Sequence, residues 1–476
     1  MRSQAMFFQR RASEALADPQ LQKNFTGLKD KFVGMRARAV DAYGANGKED
    51  FEKLRDAGAA IRDRVLQDLD VWLELFEEKA CSRGASVLWA KDGREICEQV
   101  IAIAQRHGVR KVIKSKSMLS EEAQLNAALT AAGIQPVETD LGEYILQISG
   151  NEPPSHILAP AAHKNLDEVA DLFAEKHGKP RKTEIPALTR EAREVLREHF
   201  LTADMGISGG NFLIAETGSV ALVTNEGNGR MVTTLPKVHV VITGIEKIVP
   251  SLEDFATLMR LLPRSATGQE ISNYVSVCTG TKGAGDSDGP EHTYFILVDN
   301  GRAGLVGSEF QEMLRCIRCG ACMNHCSVYQ SIGGHAYGWV YPGPMGSVLT
   351  SLYTGIENAL DLPHAATLCN QCGVVCPVRI PLADLQRKLR EKQTERGLRP
   401  WSERVAMLAW SWVAQRPALY ALATKLGVRY LNWLAGGESR IKVLGLAPGW
   451  TAGRDFPAPQ GRTFRELYKQ GQDKKV

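Results

Sequence analysis

Seven cysteines in two short segments are the residues of this chain whose types and spacing indicate chemistry. The first segment has the spacing Cys-x2-Cys-x2-Cys-x3-Cys, and the second has the spacing Cys-x2-Cys-x3-Cys-Pro. The seven thiols belong to Cys316, Cys319, Cys322, Cys326, Cys369, Cys372 and Cys376. Three thiolates at such intervals on a tight loop can each reach a different iron of one cubane, while the next cysteine turns away onto the following helix. The spacing therefore predicts two iron–sulfur clusters.

We expect each segment to lend its last cysteine to the cluster of the other segment. The predicted ligands of one [4Fe–4S] cluster, named the first cluster, are Cys316, Cys319, Cys322 and Cys376. The predicted ligands of the second cluster are Cys326, Cys369 and Cys372. Because only three cysteines remain for the second cluster, it takes a non-cysteine fourth ligand, keeps an open iron or is a [3Fe–4S] centre. Spacing alone leaves these alternatives open.

Zinc is the main alternative to iron–sulfur chemistry. Tetrahedral zinc takes four ligands, usually as two separated CxxC or CxxH pairs, whereas here three cysteines stand in one run. Gly320 fits the cluster interpretation, because a loop around a cluster needs positive φ angles and close backbone approach. Pro377 follows the last cysteine as in bacterial ferredoxins, whereas Ser327 stands where a proline is expected after the fourth cysteine. His325 and His364 are near the cysteines in sequence, and we assign neither as a ligand.

The composition is that of an ordinary globular protein of two to four domains. The chain has 476 residues, 44% of them hydrophobic and 24% charged, and it exceeds the size at which one core stops growing. The net charge of +4 is too small to favour nucleic-acid binding. With no secretory h-region and no long apolar run, a cytoplasmic protein without a membrane span is expected. The isolated cysteines, which are expected to be buried as small apolar side chains, are Cys81, Cys97 and Cys278.

The elements that must position the clustered cysteines begin with helices, because residues 12–80 show helical spacing of apolar side chains. From residue 85 short apolar runs alternate with helical stretches, which is typical of βαβ units on a largely parallel sheet. An α/β domain over residues 70–300 follows from this pattern. The predicted strands are VLWA (87–90), VIKS (112–115), YILQI (144–148), FLIAE (212–216), SVALVT (219–224), VHVVIT (238–243), NYVSVC (273–278) and TYFILV (293–298).

Small residues in the α/β region offer a candidate binding site. Backbone N–H groups there are suited to hold a carboxylate or phosphate, and they belong to Gly206, Ser208, Gly209, Gly210 and Asn211. Glu216 is a further candidate, because an acidic side chain between two apolar runs requires a partner if it is buried. Weaker candidates are Lys114, Lys116 and Glu143. The structural alternative makes residues 211–230 two hairpins, with turns at 217–218 and 225–228. No Walker A loop, Rossmann fingerprint or flavin motif is present.

After the cysteines, residues 382–397 have the pattern of a helix with one apolar face and a basic remainder. The apolar face consists of Leu382, Leu385 and Leu389. The basic residues, which form either a solvated surface or a docking site for an acidic partner, are Arg387, Lys388, Arg390, Lys392 and Arg396. Five tryptophans follow, namely Trp401, Trp410, Trp412, Trp433 and Trp450. We expect them to pack onto the protein's own domains; the alternative is an anchor on a partner or membrane surface, formed by Trp410, Val413, Pro417 and Tyr420.

Several long strings give the chain a resemblance to a known family. They are KSKSMLSEE (114–122), ETDLGEYILQ (138–147), PSHILAPAAHKN (154–165) and GGNFLIAETGSVALVTNEGNGRMVTTLPKVHVVITGIEKIVP (209–250). Together with the two cysteine motifs, they resemble the lactate utilization protein B family of bacterial L-lactate oxidation. The helical pattern of SVLTSLYTGIENAL (347–360) also resembles the α-helical ferredoxin domains in iron–sulfur subunits of succinate and glycerol-phosphate dehydrogenases.

The resemblance implies a domain order, a function and partners. The implied domains are an N-terminal helical region (1–69), a LUD α/β domain similar to sugar-phosphate isomerases and CoA transferases (70–300), an α-helical ferredoxin domain with two clusters (301–398) and a helical C-terminal extension (399–476). The implied function is electron transfer as a subunit of a complex that oxidises L-lactate to pyruvate. The implied partners are a cysteine-rich CCG-domain protein and a smaller LUD-domain protein.

Two other functions fit the same residues. In one, the LUD domain is a small-molecule binding or isomerase-like unit whose clusters are structural or sensory. In the other, the chain is a scaffold that assembles the complex. The electron-transfer hypothesis is distinguished from both because it requires intact, reducible clusters for lactate-dependent electron flow.

Overall fold

Four α-helices precede the first strand, as the apolar spacing of residues 12–80 predicts. A computed structural model of the chain describes residues 3–272, 274–445, 447–451 and 453–472. The four helices are α1 (Phe8–Leu16), α2 (Pro19–Asp41), α3 (Lys48–Gln67) and α4 (Leu69–Ser82). Asp18 fixes the start of α2, because its carboxylate accepts from the backbone N–H groups of Gln20 and Leu21. Val65, Leu69 and Phe76 are buried on the inner faces of α3 and α4.

A six-stranded sheet with every neighbouring pair parallel forms the centre of the α/β region. Its strands are β1 (Ser86–Ala90), β2 (Lys111–Lys114), β3 (Gln135–Glu138), β4 (Met205–Ser208), β7 (Val238–Gly244) and β10 (His292–Val298). Their order across the sheet is β1-β10-β7-β4-β2-β3. All residues of the central strand β7 are buried, as in a sheet covered on both faces. The predicted parallel sheet is confirmed.

A second sheet of four strands was not predicted. It contains β5 (Phe212–Ile214), β6 (Ser219–Thr224), β8 (Ile248–Val249) and β9 (Tyr274–Thr279) in the order β8-β5-β6-β9. β5 and β6 form the predicted hairpin across the turn at 217–218. The second predicted hairpin is wrong, because a helix that begins at Asn228 follows β6 instead.

Helices cover the parallel sheet on both faces. They are α5 (Gly93–Arg106), α6 (Met118–Glu122), α7 (Leu125–Ala131), α8 (Leu141–Ile148), α9 (Leu166–His177), α10 (Ile185–Thr202) and α11 (Asn228–Thr234). A further helix, α12 (Leu252–Thr267), packs against the second sheet and against α2 and α3. Neighbouring strand residues point to opposite cores: Val240 packs with α5 and α7, whereas Val241 packs with α4 and the second sheet. A third apolar cluster joins Ile113 and Val137 to α8, α9 and α10.

The cysteine-rich segment is built from short helices separated by tight loops. They are α13 (Ala321–Asn324), α14 (Ser327–Ile332), α15 (Gly343–Thr354) and α16 (Gln371–Val375), followed by α17 (Leu382–Glu395). The helical pattern read in residues 347–360 is confirmed by α15, and Leu382, Leu385 and Leu389 are buried on the inner face of α17. The basic residues of α17 are partly used internally, since Arg390 donates to the carbonyl oxygens of Pro363 and Ala366.

Several strand assignments differ from the sequence prediction, since residues 144–148 are helical and β3, β4 and β8 were not predicted. YILQI (144–148) lies in α8, because Asp140 caps a helix there and Tyr144, Ile145 and Leu146 are buried as parts of its turns. β4 escaped prediction because it is short and contains Gly206, which lowers strand propensity. Glycine is required at that position, since a Cβ would lie 2.0 Å from the carbonyl oxygen of Val232 in α11. Asn273, predicted to begin a strand, lies outside the described residues.

By contact, the chain divides into two units, Met1–Gln393 and Thr394–Val476. The second unit contains α18 (Trp401–Ala414), α19 (Pro417–Ala435), α20 (Pro448–Thr451), α21 (Phe464–Gln472) and the antiparallel pair β11 (Arg440–Ile441) and β12 (Phe456–Pro457). The five tryptophans of this unit are exposed, with fractions that range from 54% at Trp412 to 76% at Trp401. That they pack onto the other domains of the protein stays a prediction. Among the described residues, no helix is long and apolar enough to cross a bilayer.

The isolated cysteines also differ from expectation. Cys81 is exposed, and Cys97 and Cys278 are half-buried rather than fully buried. Cys81 lies in the last turn of α4, where the buried inner face is occupied by the neighbouring Ala80. The prediction of buried small hydrophobes is therefore wrong for Cys81.

A buried histidine in the parallel sheet leads to a prediction about pH. His239 on β7 is 1% exposed, and its Nε2 lies 2.8 Å from Ser208 Oγ. Burial lowers the pKa of His239 from 6.5 to about 4. The unfolded chain therefore binds this proton at a higher pH than the folded protein does. The free energy of unfolding should fall by about 3 kcal/mol, through this side chain alone, as the pH falls from 6.5 to about 4.

Comparison with His239→Gln isolates the effect, because glutamine keeps a hydrogen-bonding group near Ser208 but does not titrate. Urea unfolding followed by circular dichroism should show a smaller loss of stability in the variant over this pH range. Equal pH dependence of the two proteins would contradict the prediction.

Candidate iron–sulfur site

Four of the clustered cysteines line one cavity in the cysteine-rich segment. They are Cys316, Cys319, Cys322 and Cys376, the predicted ligands of the first cluster. Cys316 follows a 3₁₀ turn, Cys322 is in α13 and Cys376 follows α16, so the cavity is built from two segments far apart in sequence. Its other walls are mainly apolar and include Met345, Val378 and Leu382.

Three of these thiols, those of Cys319, Cys322 and Cys376, are suited to a metal cluster because burial raises their pKa values. Burial, together with the neighbouring Cys376 and Cys316, raises the pKa of Cys319 to about 12. Burial raises the pKa of Cys376 to about 11 and that of Cys322 well above its ordinary value. Thiolate ligands in such a cavity need a bound metal to replace their protons. The donor set therefore fits iron–sulfur ligation.

The other three cysteines form a second group. Cys326, Cys369 and Cys372 lie close enough together for their thiolate charges to interact. Burial, with Cys326 nearby, raises the pKa of Cys372 to about 12, whereas the backbone N–H of Gln371 lowers the pKa of the exposed Cys369. This group is therefore closer to the surface than the first.

The cysteine loops contain backbone conformations that side chains rarely adopt. Gly320 has φ of +75°, which confirms the expected positive φ in the loop. Three residues with side chains also have positive φ beside candidate ligands: Arg318 (+58°), Leu368 (+57°) and Asn370 (+60°). Such conformations cost of order 1–3 kcal/mol each and persist where the surrounding structure requires them. No local sequence pattern indicated a positive φ at these three positions.

The arrangement of side chains does not suit a single metal ion. Within the described ranges, no three His, Cys, Asp or Glu side chains are grouped so that they could hold one ion. Zinc would need its thiolates at about 2.3 Å from one centre, whereas each sulfur of a cubane site binds a different iron. His325 and His364 are occupied elsewhere, since His325 Nδ1 contacts the carbonyl oxygen of Ala321 and His364 Nε2 contacts Gln393 Oε1.

Basic side chains hold the cysteine loops from outside. Arg55 on α3 donates to the carbonyl oxygen of Cys376 at 2.7 and 3.0 Å, and Arg36 on α2 donates to that of Val375 at 3.1 Å. Lys247 donates to the carbonyl oxygen of Cys316 at 3.3 Å. Sequence reasoning missed these residues, because nothing local to α2 and α3 indicates which carbonyl groups their arginines reach.

Comparison with known proteins identifies the family. A LUD domain matches residues 73–298, a 4Fe–4S dicluster domain matches 312–380, and the C-terminal domain of lactate utilisation protein B matches 384–473. Lactate utilization protein B of Lysinibacillus sphaericus is 42% identical over 97% of this chain and 96% of its own length. This chain belongs to the lactate utilization protein B family.

Other members and one solved structure give the range of similarity. Lactate utilization protein B of Bacillus subtilis is 42% identical, over 97% of this chain and 95% of its own. An Escherichia coli protein named uncharacterized electron transport protein YkgF is 41% identical, over 98% of both chains. A DUF162 family protein from Deinococcus radiodurans aligns with 48% of this chain and 98% of its own at 14% identity, with a TM-score of only 0.27.

In this member of the lactate utilization protein B family, the LUD domain has a cavity at the carboxyl ends of its parallel strands, here named the sheet-edge cavity. Of the residues proposed from sequence, those that line it are Lys116, Gly209, Gly210 and Asn211. Lys114 is buried instead in an ion pair with Glu138, at 2.5 Å. Glu143 is buried near that pair. Its burial, and to a smaller extent the negative charge of Glu138, raises the pKa of Glu143 to about 8. Gly206 and Ser208 are in β4 itself.

Glu216 is not a member of this cavity. Its side chain is exposed and accepts a hydrogen bond from the backbone N–H of Leu252 at 2.9 Å, at the start of α12. The sequence interpretation assumed burial between two apolar runs. The hairpin of β5 and β6 instead turns at this residue, which places it at the surface.

Proposed function

We propose that this chain is the iron–sulfur electron-transfer subunit of a cytoplasmic complex that oxidises L-lactate to pyruvate. It relays electrons through two clusters. The first is a [4Fe–4S] cluster bound by Cys316, Cys319, Cys322 and Cys376. The second is bound by Cys326, Cys369 and Cys372 and is [4Fe–4S] with another fourth ligand, or [3Fe–4S].

The observation that carries this proposal is the grouping of the thiols. Cys376 lines a cavity with the three cysteines of the other segment, rather than grouping only with Cys369 and Cys372 beside it in sequence. The match to a 4Fe–4S dicluster domain supports the same chemistry. Each cluster, when bound, takes up and releases single electrons.

The two groups of thiols differ in their burial and in the positive charge near them. Three of the four thiols of the first group are buried, and Arg36, Arg55 and Lys247 place positive charge on backbone carbonyl groups beside the group. The main influences on the pKa values of Cys326, Cys369 and Cys372 are burial, hydrogen bonds from the backbone and the neighbouring cysteines, rather than basic side chains. Positive charge favours the reduced state of a neighbouring redox group. The exposed Cys369 suits the second group to exchange electrons with a partner protein.

The proposal includes the domain order and the partners implied by the family. The domains are residues 1–69, 70–300, 301–398 and 399–476. The partners are a cysteine-rich CCG-domain protein and a smaller LUD-domain protein, which together with this chain form the oxidoreductase. The exposed tryptophans of the C-terminal unit are suited to a contact with a partner or a membrane surface.

Anaerobic iron and sulfide analysis with electron paramagnetic resonance (EPR) of the reduced protein tests the proposal. We expect about seven or eight irons per chain and two distinct signals, because the two thiol groups bind separate clusters. A colourless protein that contains zinc after anaerobic purification would refute the proposal. A protein with one cluster would refute the relay.

One alternative is supported by a specific observation. The sheet-edge cavity would suit a small-molecule binding or isomerase-like protein whose clusters are structural or sensory. Under that alternative, conversion of the small molecule continues when the clusters are present but not reducible. Under the proposed function, lactate-dependent electron flow stops.

A further inference from the structure

The sheet-edge cavity has a volume of about 200 Å³ and plays no part in the proposed electron relay. It lies beyond the ends of β2, β4 and β7, where residues 115–117, 209–210 and 243–244 form its walls. Ligands of open α/β proteins bind at this edge of the sheet. The position of the cavity is therefore that of a binding site.

The cysteine-rich segment completes this cavity. Arg318, between the candidate ligands Cys316 and Cys319, lines it together with Tyr341. Lys247, which donates to the carbonyl oxygen of Cys316, lines it from the LUD domain. The loop that would carry the first cluster is thus one wall of the cavity.

Arg318 is largely buried, yet its guanidinium has few polar partners. Its side chain is 13% exposed, and within the described part of the chain its guanidinium makes an ion pair with Glu246 at 3.6 Å but no hydrogen bond. It lies over the ring of Tyr341, with its Cζ 4.6 Å from the ring centre. Its backbone has a positive φ, a conformation that costs free energy. A guanidinium has five N–H donors, and a bound carboxylate could accept two of them in parallel.

Other walls of the cavity also have unused hydrogen-bonding capacity. Among the described residues, Ser115 Oγ and Asn228 Oδ1 are buried without a hydrogen-bond partner, and both residues line the cavity. A buried polar atom without a partner costs about 1–3 kcal/mol. Apolar side chains, among them Leu158, Leu222 and Ile242, form much of the remaining surface. The cavity is therefore lined by the basic side chains of Arg318 and Lys247, by the unpaired polar atoms and by apolar side chains.

We propose that the sheet-edge cavity binds a small organic carboxylate, whose carboxylate group is anchored by Arg318 on the cluster-binding loop. The apolar walls favour an organic acid over inorganic phosphate, which has no apolar part. Because Arg318 stands between two cluster ligands, occupancy of the cavity changes the surroundings of the first cluster. The choice of L-lactate and pyruvate as probes rests on the proposed function.

The competing explanation is that Arg318 and Lys247 only balance the negative charge of the first cluster. Under that explanation no carboxylate binds, and Arg318→Gln changes only the properties of the cluster. Lys116, which lines the cavity from the LUD domain just after β2, separates the two accounts. Its ammonium lies 3.8 Å from Asp140 and donates to the carbonyl oxygen of Leu158, and among the described residues it makes no hydrogen bond or ion pair to the cysteine loops.

The test uses the full-length, cluster-loaded protein under anaerobic conditions. Binding of L-lactate, pyruvate and inorganic phosphate is measured by isothermal titration calorimetry, and the EPR spectrum of the reduced protein is recorded with and without each probe. We expect one of the two acids to bind and to alter one cluster signal. Arg318→Gln should weaken that binding roughly tenfold to a hundredfold, since a hydrogen bond to a charged group is lost. Lys116→Gln should weaken it less, and Arg387→Gln on the exposed face of α17 should leave it unchanged.

Iron and sulfide analysis of the same samples separates this inference from the proposed function. Two intact clusters without binding of either acid would overturn the inference and leave the relay standing. Binding of an acid to a protein without clusters would support the inference and overturn the relay. Phosphate that binds as tightly as the acids would overturn the assigned ligand class. Unchanged affinity in both Arg318→Gln and Lys116→Gln, with clusters intact, would also overturn the inference.

Discussion

Cys376→Ser is expected to remove the same cluster as Cys316→Ser, although the two residues are 60 positions apart. The reason is that Cys376 lines the cavity of Cys316, Cys319 and Cys322. Serine presents a hard oxygen that is protonated at neutral pH, whereas iron–sulfur sites select soft thiolates. Each variant should lose about four irons per chain and nearly all lactate-dependent electron flow. Iron and sulfide analysis and EPR of the reduced proteins measure both effects.

The matched comparison is with the second group of thiols. Cys326→Ser and Cys369→Ser should both remove the other EPR signal and leave the first in place. Cys81→Ser is the control, because Cys81 is exposed in α4 and is not one of the clustered cysteines. If Cys376→Ser removed the same signal as Cys369→Ser, each segment would hold its own cluster. The reciprocal assignment would then be wrong.

Arg302→Met is expected to lower the free energy of unfolding by about 3–5 kcal/mol, the cost of removing one partner from a buried ion pair. Arg302 is 1% exposed and pairs with Glu122 and Glu246, each at 2.8 Å. The hydroxyl of Tyr341 donates to Glu122 as well. Methionine fills a similar volume but leaves both carboxylates buried without this partner.

The pKa of Glu246 shows how strongly this network is charged. Burial alone would raise it, but Arg302, Lys247 and Arg318 hold the pKa of Glu246 at about 2. The network also joins regions, since Glu122 and Glu246 belong to the α/β region, whereas Arg302 and Tyr341 follow that region in the chain. Gly244 is needed beside it, because a Cβ there would lie 2.1 Å from Glu246 Oε2.

Anaerobic urea unfolding followed by circular dichroism measures the effect of Arg302→Met. The control is Arg181→Met. Arg181 also pairs with two carboxylates, those of Asp167 and Asp171, but its side chain is 38% exposed. Exposed pairs of this kind contribute about 0–1 kcal/mol. Equal stabilities of the two variants would show that the buried network contributes no more than a surface pair.

The sheet-edge cavity and the candidate first cluster share the loop of Arg318, so the proposed carboxylate site would give the LUD domain a role beside electron transfer. A domain that only supported the clusters would not need unpaired polar atoms at the carboxyl ends of its strands. Among the described residues, Ser115 Oγ and Asn228 Oδ1 are such atoms. Binding of a carboxylate there would bring the ligand to the loop between two candidate cluster ligands.

Sequence by itself determined the features that depend on residues close together in the chain. The spacing of the seven cysteines predicted cluster chemistry, because a tight loop fixes which thiols can face one cubane. Apolar periodicity predicted the helices before residue 80 and the parallel sheet. It misread residues 144–148, because a short apolar run suits a strand or a buried helix equally well.

Only the tertiary structure decided the contacts between distant segments. The grouping of Cys376 with Cys316, the arginines of α2 and α3 on the cysteine loops, and the wall that Arg318 gives to the sheet-edge cavity all join residues far apart in sequence. No local pattern encodes such partners, since the same arginine on a helix surface suits solvent or a carbonyl group 300 residues away. Burial and packing of the whole chain select among them.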